Sequence, residues 1–151
     1  MTTHSLEVFD STLQKTHIWL EEIMGELAVD RRPAWHVLGA VLRAIRDCIP
    51  LQLGANFSAQ LPLLVRGAYY DQFRPNDIPT PVSRWSDFLA LLARGIIDVG
   101  PAVSPARAAE AVFGVLWRHI DRNEIAKVQH ALPPEVRQNW ATAASAPEAL
   151  P

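Results

Sequence analysis

Two arginines occupy equivalent places in a pattern that occurs twice in this chain. Residues 61–69 and 132–140 both follow the order Leu-Pro-x-x-Val-Arg-x-x-aromatic, so Arg66 and Arg137 each come directly after a valine. A guanidinium group presents its donors as a planar fork that matches a carboxylate or a phosphate, so these residues could form two anion sites. The same fork could bind carbonyls or a carboxylate of the fold itself. We favour this structural role, because a duplicated architecture duplicates its packing residues first.

The densest mixture of aromatic and charged side chains follows the first of these arginines. It consists of Tyr69, Tyr70, Asp71, Phe73 and Arg74. Such mixtures are enriched at protein interfaces. They also occur where a helix ends against the core with phenol groups at its rim. With the two arginines, the tyrosines, the aspartate and Arg74 are therefore our candidate ligand-binding or partner-binding residues.

The other reactive side chains form no recognisable catalytic or metal-binding motif. No two of the five histidines lie three or four residues apart, and none adjoins a second ligand type. Cys48 is expected near the C-terminus of a helix, where a thiol is not activated, so we predict that it packs in the core. The sequence has no Gly-x-Ser-x-Gly elbow, Gly-rich phosphate loop or Rossmann fingerprint. It therefore favours a protein without catalytic residues, metal or cofactor.

Several stretches of the chain resemble a known bacterial family, domain of unknown function 2267. They are residues 9–20 (Phe-Asp-Ser-Thr-Leu-Gln-Lys-Thr-His-Ile-Trp-Leu), 58–71 (Ser-Ala-Gln-Leu-Pro-Leu-Leu-Val-Arg-Gly-Ala-Tyr-Tyr-Asp), 111–116, 123–125 and 131–133. The resemblance covers roughly residues 7–140. It implies an all-α fold in a small bacterial protein, and it implies no activity.

Apolar periodicity and helix-end signals predict the elements that must position these residues. The predicted helices cover about residues 6–28, 31–48, 51–60, 63–72, 86–98, 105–120, 123–131 and 134–140. The first helix carries an apolar stripe made of Phe9, Leu13, Leu20, Ile23, Met24 and Leu27. We expect Asp30, Ser104 and either Ser83 or Ser86 to be N-caps. No stretch shows the alternation of a β-strand.

The repeated pattern divides the chain into two halves. We predict a single domain over residues 1–151, with a first half at 7–72 and a second at 86–140. A Pro-rich linker at 73–85 joins them, and a flexible tail follows at 141–151. Each half would be only marginally stable alone, so the prediction is one compact helical bundle built from two repeated half-domains of about four helices each. On the repeated helices, Leu61, Val65, Leu132 and Val136 should be buried.

Composition and charge limit the class of protein. Apolar residues make up 49% of the chain and charged residues 20%, which predicts a packed core. The net charge is −2, so we expect no nucleic-acid partner, and the apolar runs are far shorter than the roughly 20 residues of a membrane span. A single cysteine fits the reducing cytoplasm.

Three functions remain open on the sequence alone, and the least favoured of them is an enzyme of unrecognised type. The first is a non-enzymatic interaction or regulatory module, with a homo-oligomer or another protein as its partner. The second is a small-molecule binder that takes an anionic ligand through Arg66 or Arg137, in a pocket between the halves. A broad exposed apolar patch would favour the first function. A pocket with converging polar groups would favour the second.

Overall fold

The computed structural model describes residues 6–100 and 103–145, and within these ranges the chain forms α-helices and two short 3₁₀ helices but no strand. The α-helices are α1 (Glu7–Leu27), α2 (Arg31–Cys48), α3 (Leu51–Ser58), α4 (Leu63–Tyr70), α5 (Trp85–Gly95), α6 (Pro105–His119), α7 (Arg122–Ala131) and α8 (Pro134–Ser145). The 3₁₀ helices are Pro75–Asp77 and Ile97–Val99. The predicted all-α fold class is confirmed.

Side-chain caps and prolines account for several helix ends. Ser104 Oγ accepts a hydrogen bond from the Arg107 amide at 3.2 Å, which satisfies one of the unpaired N–H groups of the first turn of α6. Asp30 is the N-cap residue of α2, as predicted, although its carboxylate makes no cap bond. Pro50 follows Ile49, the C-cap residue of α2, and a proline disfavours helical backbone at the residue before it, so α2 ends at Cys48.

The predicted serine cap of α5 is wrong. The helix begins at Trp85, and its N-cap residue is Arg84, between Ser83 and Ser86. The carboxylate of Asp87 reaches back from the first turn and accepts the amide of Arg84 at 3.1 Å. This contact satisfies the amide of the N-cap residue, and the acidic side chain in the first turn also suits the positive end of the helix dipole.

The core lies around α2 and α6, which pack against each other. Helices α1, α4 and α5 pack on α2, while α1, α5, α7 and α8 pack on α6. The repeated apolar positions lie in this core, as predicted: Leu61, Val65, Leu132 and Val136 are at most 2% exposed. In the described ranges, no helix combines the length and the apolar character needed to cross a bilayer.

The apolar stripe of α1 is buried only in its second part. Leu20, Ile23 and Leu27 are in the core, but Phe9 is 57% exposed and Leu13 is 46% exposed. The apolar stripe therefore does not contact the core at the start of the helix, where all residues from 6 to 11 are exposed. Periodicity alone cannot show that a helix extends beyond the elements that could cover it.

The second half ends later than the sequence suggested. Helix α8 continues to Ser145, so residues 141–145 are helical, although they were predicted to belong to a flexible tail. The alanine-rich sequence of residues 141–145 favours this extension, since alanine is the best helix former. The remainder of the predicted tail, residues 146–151, lies outside the described residues.

Helix bounds and packing partners correspond between the halves. Helices α3 and α4 begin at Leu51 and Leu63, while α7 and α8 begin at Arg122 and Pro134, shifted by the same distance along the chain as Arg137 from Arg66. Helix α4 packs on α1 and α2, and α8 packs on α5 and α6. These correspondences fit an internal duplication. The duplication itself stays a prediction, which a superposition of residues 7–72 on 86–140 would test.

Candidate functional site

The predicted anion residue Arg66 binds the C-terminal end of the preceding helix. Its Nε donates to the carbonyl of Ser58 at 2.9 Å, and its Nη2 donates to the carbonyls of Ala59 at 3.4 Å and Leu61 at 3.1 Å. The last carbonyls of a helix have no intrahelical partner, and they carry the negative end of the helix dipole. The Arg66 side chain therefore satisfies the end of α3 and ties it to α4.

Arg137 makes the corresponding set of bonds in the second half. Its Nε donates to Gln129 at 3.0 Å, and its Nη2 donates to His130 at 3.0 Å and to Leu132 at 3.4 Å, in each case at the backbone carbonyl. The acceptors lie eight, seven and five residues before each arginine. Both arginines thus have the carbonyl-binding geometry that the structural interpretation requires.

The aromatic residues after Arg66 pack against one another, with ring centres 5.1 Å apart for Tyr69 and Tyr70 and 5.6 Å apart for Tyr70 and Phe73, but within the described ranges no binding site is formed with the charged residues. Tyr69 is buried, and its hydroxyl donates to the Gly54 carbonyl at 3.0 Å. Burial raises the pKa of the Tyr69 phenol, and the neighbouring Tyr70 adds to the shift. The Tyr70 hydroxyl lies 2.8 Å from Ser58 Oγ. The side chains of Asp71 and Arg74 are exposed.

Sequence reasoning missed Arg46, the most deeply buried charged residue described. It is 4% exposed, and its Nη1 donates to the carbonyls of Tyr69 and Asp71, both at 2.7 Å. Its Nε binds the carboxylate of Asp47 at 2.8 Å, and its guanidinium carbon lies 5.0 Å from the Phe73 ring centre. Arg46 therefore closes the end of α4. Its position among apolar residues of α2 is the signal that could have revealed it.

A groove of about 410 Å³ lies between α1 and the α3–α4 turn. We call it the α1 groove; its lining residues are Val8, Ser11, Thr12, Lys15, Trp19, Ala59, Gln60, Leu61, Pro62, Leu63, Arg66 and His119. Lys15 Nζ and Arg66 Nη1 have no hydrogen-bond partner among the described residues. Because His119 comes from the second half, the groove lies where the halves meet. It therefore brings free basic groups to one place, which the sequence did not reveal.

At the crossing of α1 and α6, a single carboxylate joins two basic side chains. Glu22 on α1 accepts from Arg118 Nε at 2.6 Å, and its other oxygen lies 2.5 Å from His119 Nε2. The imidazole also stacks on Trp19, with ring centres 5.7 Å apart. The basic groups at this crossing thus have a counter-charge supplied by the fold.

At the crossing of α2 and α5, a cavity of about 240 Å³ is lined by three arginines, Arg43, Arg46 and Arg94. Arg43 is half-buried, and its Nη1 donates to the Ala68 carbonyl at 3.0 Å. Burial lowers the pKa of Arg43; Asp71 opposes this shift, while Arg46 adds to it. Arg94 lines the cavity from α5 and has no partner among the described residues. This crossing lacks the carboxylate that closes the other one.

Neither a reactive thiol nor a metal site is found within the described ranges. Cys48 is buried, and burial raises the pKa of its thiol to about 12, with a further contribution from Asp47. The thiol is therefore protonated near neutral pH, in accord with the predicted core role. In residues 6–100 and 103–145, no group of three or more His, Cys, Asp or Glu side chains could hold a metal ion.

A comparison with protein families identifies the relatives of this chain. Residues 16–139 match the model of the family described as "Uncharacterized conserved protein (DUF2267)". The chain belongs to this family. The resemblance inferred from the sequence motifs is thereby confirmed, and no curated protein matches the chain. Membership in DUF2267 brings no activity or ligand, so function has to be argued from the sites.

A short motif in this DUF2267 chain could have pointed to both crossings. Gly39 and Gly114 each stand one helical turn before an arginine, Arg43 or Arg118. A Cβ at Gly39 would lie 2.7 Å from Arg43 Nη1, and a Cβ at Gly114 would lie 3.1 Å from Arg118 Nη1. In both cases the arginine folds over the glycine. The glycine thus leaves room for the guanidinium group close to its own helix.

Proposed function

We propose that this DUF2267 protein is a non-enzymatic interaction module that self-associates through the start of α1. One observation carries the proposal: a set of large apolar side chains at the starts of α1 and α4 is 45–59% exposed. We call this set the α1 face; its members are Leu6, Val8, Phe9, Leu13, Leu63 and Leu64. Exposed large apolar side chains that are grouped on neighbouring elements are typical of an interaction site.

The two sides of the α1 face lie close together. Helix α4 packs on α1, and the Leu64 amide donates to Thr12 Oγ1 at 2.9 Å. Val8 and Leu63 line the same groove. The α1 face therefore presents apolar side chains from two helices at one end of the bundle.

Charge complementarity favours a second copy of this chain as the partner. The first turn of α1 is acidic, with Glu7 and Asp10 beside the exposed Phe9. The α1 groove is basic, with unpaired donors on Lys15 and Arg66. One molecule thus carries both an acidic apolar helix end and a basic apolar groove. Two copies related by a two-fold axis would each place α1 in the groove of the other, which is an isologous interface.

Sedimentation velocity over a range of protein concentrations tests the proposal. The parent protein should move from 16.8 kDa towards twice that mass as its concentration rises. Phe9→Asp should remain monomeric, because it places an acid in the apolar contact. Ile97→Asp is the matched control, since Ile97 is 78% exposed away from the α1 face and its variant should associate like the parent. A parent protein that stays monomeric at every concentration refutes self-association.

A charge exchange makes the test specific for the partner. Glu7→Lys and Lys15→Glu should each weaken association, because each places like charges across the interface. An equimolar mixture of the two variants should associate again, since each chain then meets the opposite charge of the other. Failure of the mixture to associate would contradict pairing between the helix start and the groove.

A second candidate function is the binding of an anionic small molecule in the α1 groove. The observation in its favour is that Lys15 Nζ and Arg66 Nη1 both remain unpaired at the same groove. Calorimetric titration with citrate tests it, and Lys15→Gln should abolish the binding. Lys127→Gln is the control of equal charge, because Lys127 is paired with Glu124 on α7. Absence of heat with the parent protein would remove this candidate.

The proposal also covers the cellular location of the protein and the evolutionary origin of its two halves. The resemblance to bacterial proteins and the single cysteine favour the reducing cytoplasm of a bacterium. Corresponding bonds at Arg66 and Arg137 support descent of the two halves from one duplicated unit.

A further inference from the structure

We propose that the cavity between α2 and α5 is an anion site in which Arg43 and Arg94 together bind a phosphoryl group, free or at the end of a small metabolite. This site is separate from the α1 face and does not depend on self-association. The two arginines come from different helices and line the same cavity of about 240 Å³. A volume of this size accommodates a small anion.

No carboxylate around the cavity forms an ion pair with Arg43 or Arg94 among the described residues. Its charged lining residues are Arg43, Arg46, Asp47 and Arg94. The Asp47 carboxylate binds Arg46 at 2.8 Å, so these two charges offset each other. Asp71 attracts Arg43 electrostatically from the adjoining cavity, but no ion pair within 4.0 Å joins them. The cavity therefore keeps an excess of positive charge.

The Arg43 side chain is held in place by one hydrogen bond and keeps unused N–H donors. Its Nη1 donates to the Ala68 carbonyl, and its guanidinium group lies over Gly39. Nε and Nη2 have no acceptor among the described residues. A half-buried cation with unused donors costs free energy unless an acceptor reaches it. Because the fork is already positioned, an anion would bind it with little loss of side-chain freedom.

The other crossing shows which partner such an arginine takes. Arg118, folded over Gly114 as Arg43 is over Gly39, binds Glu22 on the crossing helix at 2.6 Å. Helix α5 instead directs Arg94 to its cavity, so an external anion would supply the missing negative charge. A tetrahedral phosphoryl group fits this role best, because its several oxygens can accept from two guanidinium forks at once.

The helix backbones also shape the cavity. A Cβ at Gly95 would lie 3.0 Å from the Ala40 side chain, so α2 and α5 come unusually close beside the two arginines. Helix α5 thus packs closely on α2, and among the described residues no ion pair joins the two helices. The cavity can therefore stay formed without a ligand.

Calorimetric titration with inorganic phosphate and pyrophosphate, at constant ionic strength, tests the site. The parent protein should bind one pyrophosphate, and Arg94→Gln should weaken binding at least about tenfold, the effect of losing one charge-assisted bond. Arg94 is exposed, so this change does not threaten the fold. Arg32→Gln, an exposed charge in the first turn of α2, and Lys15→Gln in the α1 groove should bind like the parent. A parent that binds no pyrophosphate, or an Arg94→Gln variant that binds it equally well, overturns the proposal.

A second variant tests the missing counter-charge without any ligand. Arg94→Glu places a carboxylate on α5 opposite Arg43, as Glu22 is placed opposite Arg118. In anion-free buffer this variant should melt at a higher temperature than the parent, and pyrophosphate should not raise its melting temperature further. If Arg94→Glu melts at or below the parent temperature, Arg43 does not lack a counter-charge and the proposal fails.

Discussion

The α1–α6 crossing and the α2–α5 crossing contain similar residues, but their charges are paired differently. Each has an arginine folded over a glycine one turn earlier on its central helix. At the first crossing, Glu22 binds both Arg118 and His119. At the second, Arg43 and Arg94 share a cavity in which Arg46 already binds the one carboxylate. One residue on the outer helix thus decides whether the crossing is closed by an ion pair or left open to an anion.

The contacts that support the helix ends are more alike between the two halves than the two crossings are. Arg66 and Arg137 bind carbonyls at the same sequence distances. The aromatic residues that end the two patterns differ: the Tyr69 hydroxyl binds a carbonyl, whereas Trp140 stacks on Phe113 at 4.6 Å and its buried Nε1 has no partner among the described residues. The contacts that support the backbone thus correspond between the halves, whereas these aromatic contacts differ.

The largest expected effect tests whether the scaffolds are equivalent. Leu61→Ala and Leu132→Ala should each lower the free energy of unfolding by about 2–5 kcal/mol, because each removes a buried side chain and leaves a cavity. Urea unfolding of the two variants measures both losses. A loss below roughly 0.5 kcal/mol for either leucine would show that its position is not equivalent to the other.

The next effect concerns the two corresponding arginines, Arg66 and Arg137. Arg66→Ala and Arg137→Ala should each cost about 1.5–3 kcal/mol before solvent screening is considered, and less in practice because both side chains are partly exposed. Thermal melts of the single variants should show similar decreases, since both guanidinium groups close a helix end. If both variants melt like the parent protein, the structural assignment is wrong and the anion role of these arginines has to be reconsidered.

The sequence predicted what depends on local periodicity and repeated motifs. Helix order, the burial of Val65 and Val136, and the role of Ser104 followed from spacing and capping preferences. The open cavity between Arg43 and Arg94 did not, because it depends on which helices cross and at what distance. Likewise, nothing in the stripe of α1 distinguishes the exposed Phe9 from the buried Ile23.

A smaller effect separates the two crossings directly. Arg118→Gln should cost about 0.2–1 kcal/mol, because it breaks a partly exposed ion pair with Glu22. Arg94→Gln should cost nothing or stabilise slightly in anion-free buffer, since it removes an unpaired positive charge. Thermal melts in low salt, where surface charge effects are largest, give the comparison. Equal losses in the two variants would show that Arg94 also has a stabilising partner.

The smallest effect on stability concerns Cys48, the last residue of α2. Burial, together with Asp47, raises the pKa of Cys48 to about 12, so at pH 8.5 well under a hundredth of the native thiol is ionised. Iodoacetamide, which attacks the thiolate, should therefore leave the native protein unmodified and alkylate it rapidly in urea. Because the folded pKa lies above the unfolded one, the contribution of Cys48 to stability should decline as pH rises above about 9. Mass spectrometry measures the alkylation. Rapid alkylation without urea would show that the end of α2 opens to solvent. The α2–α5 crossing would then lack the rigidity that an anion site requires.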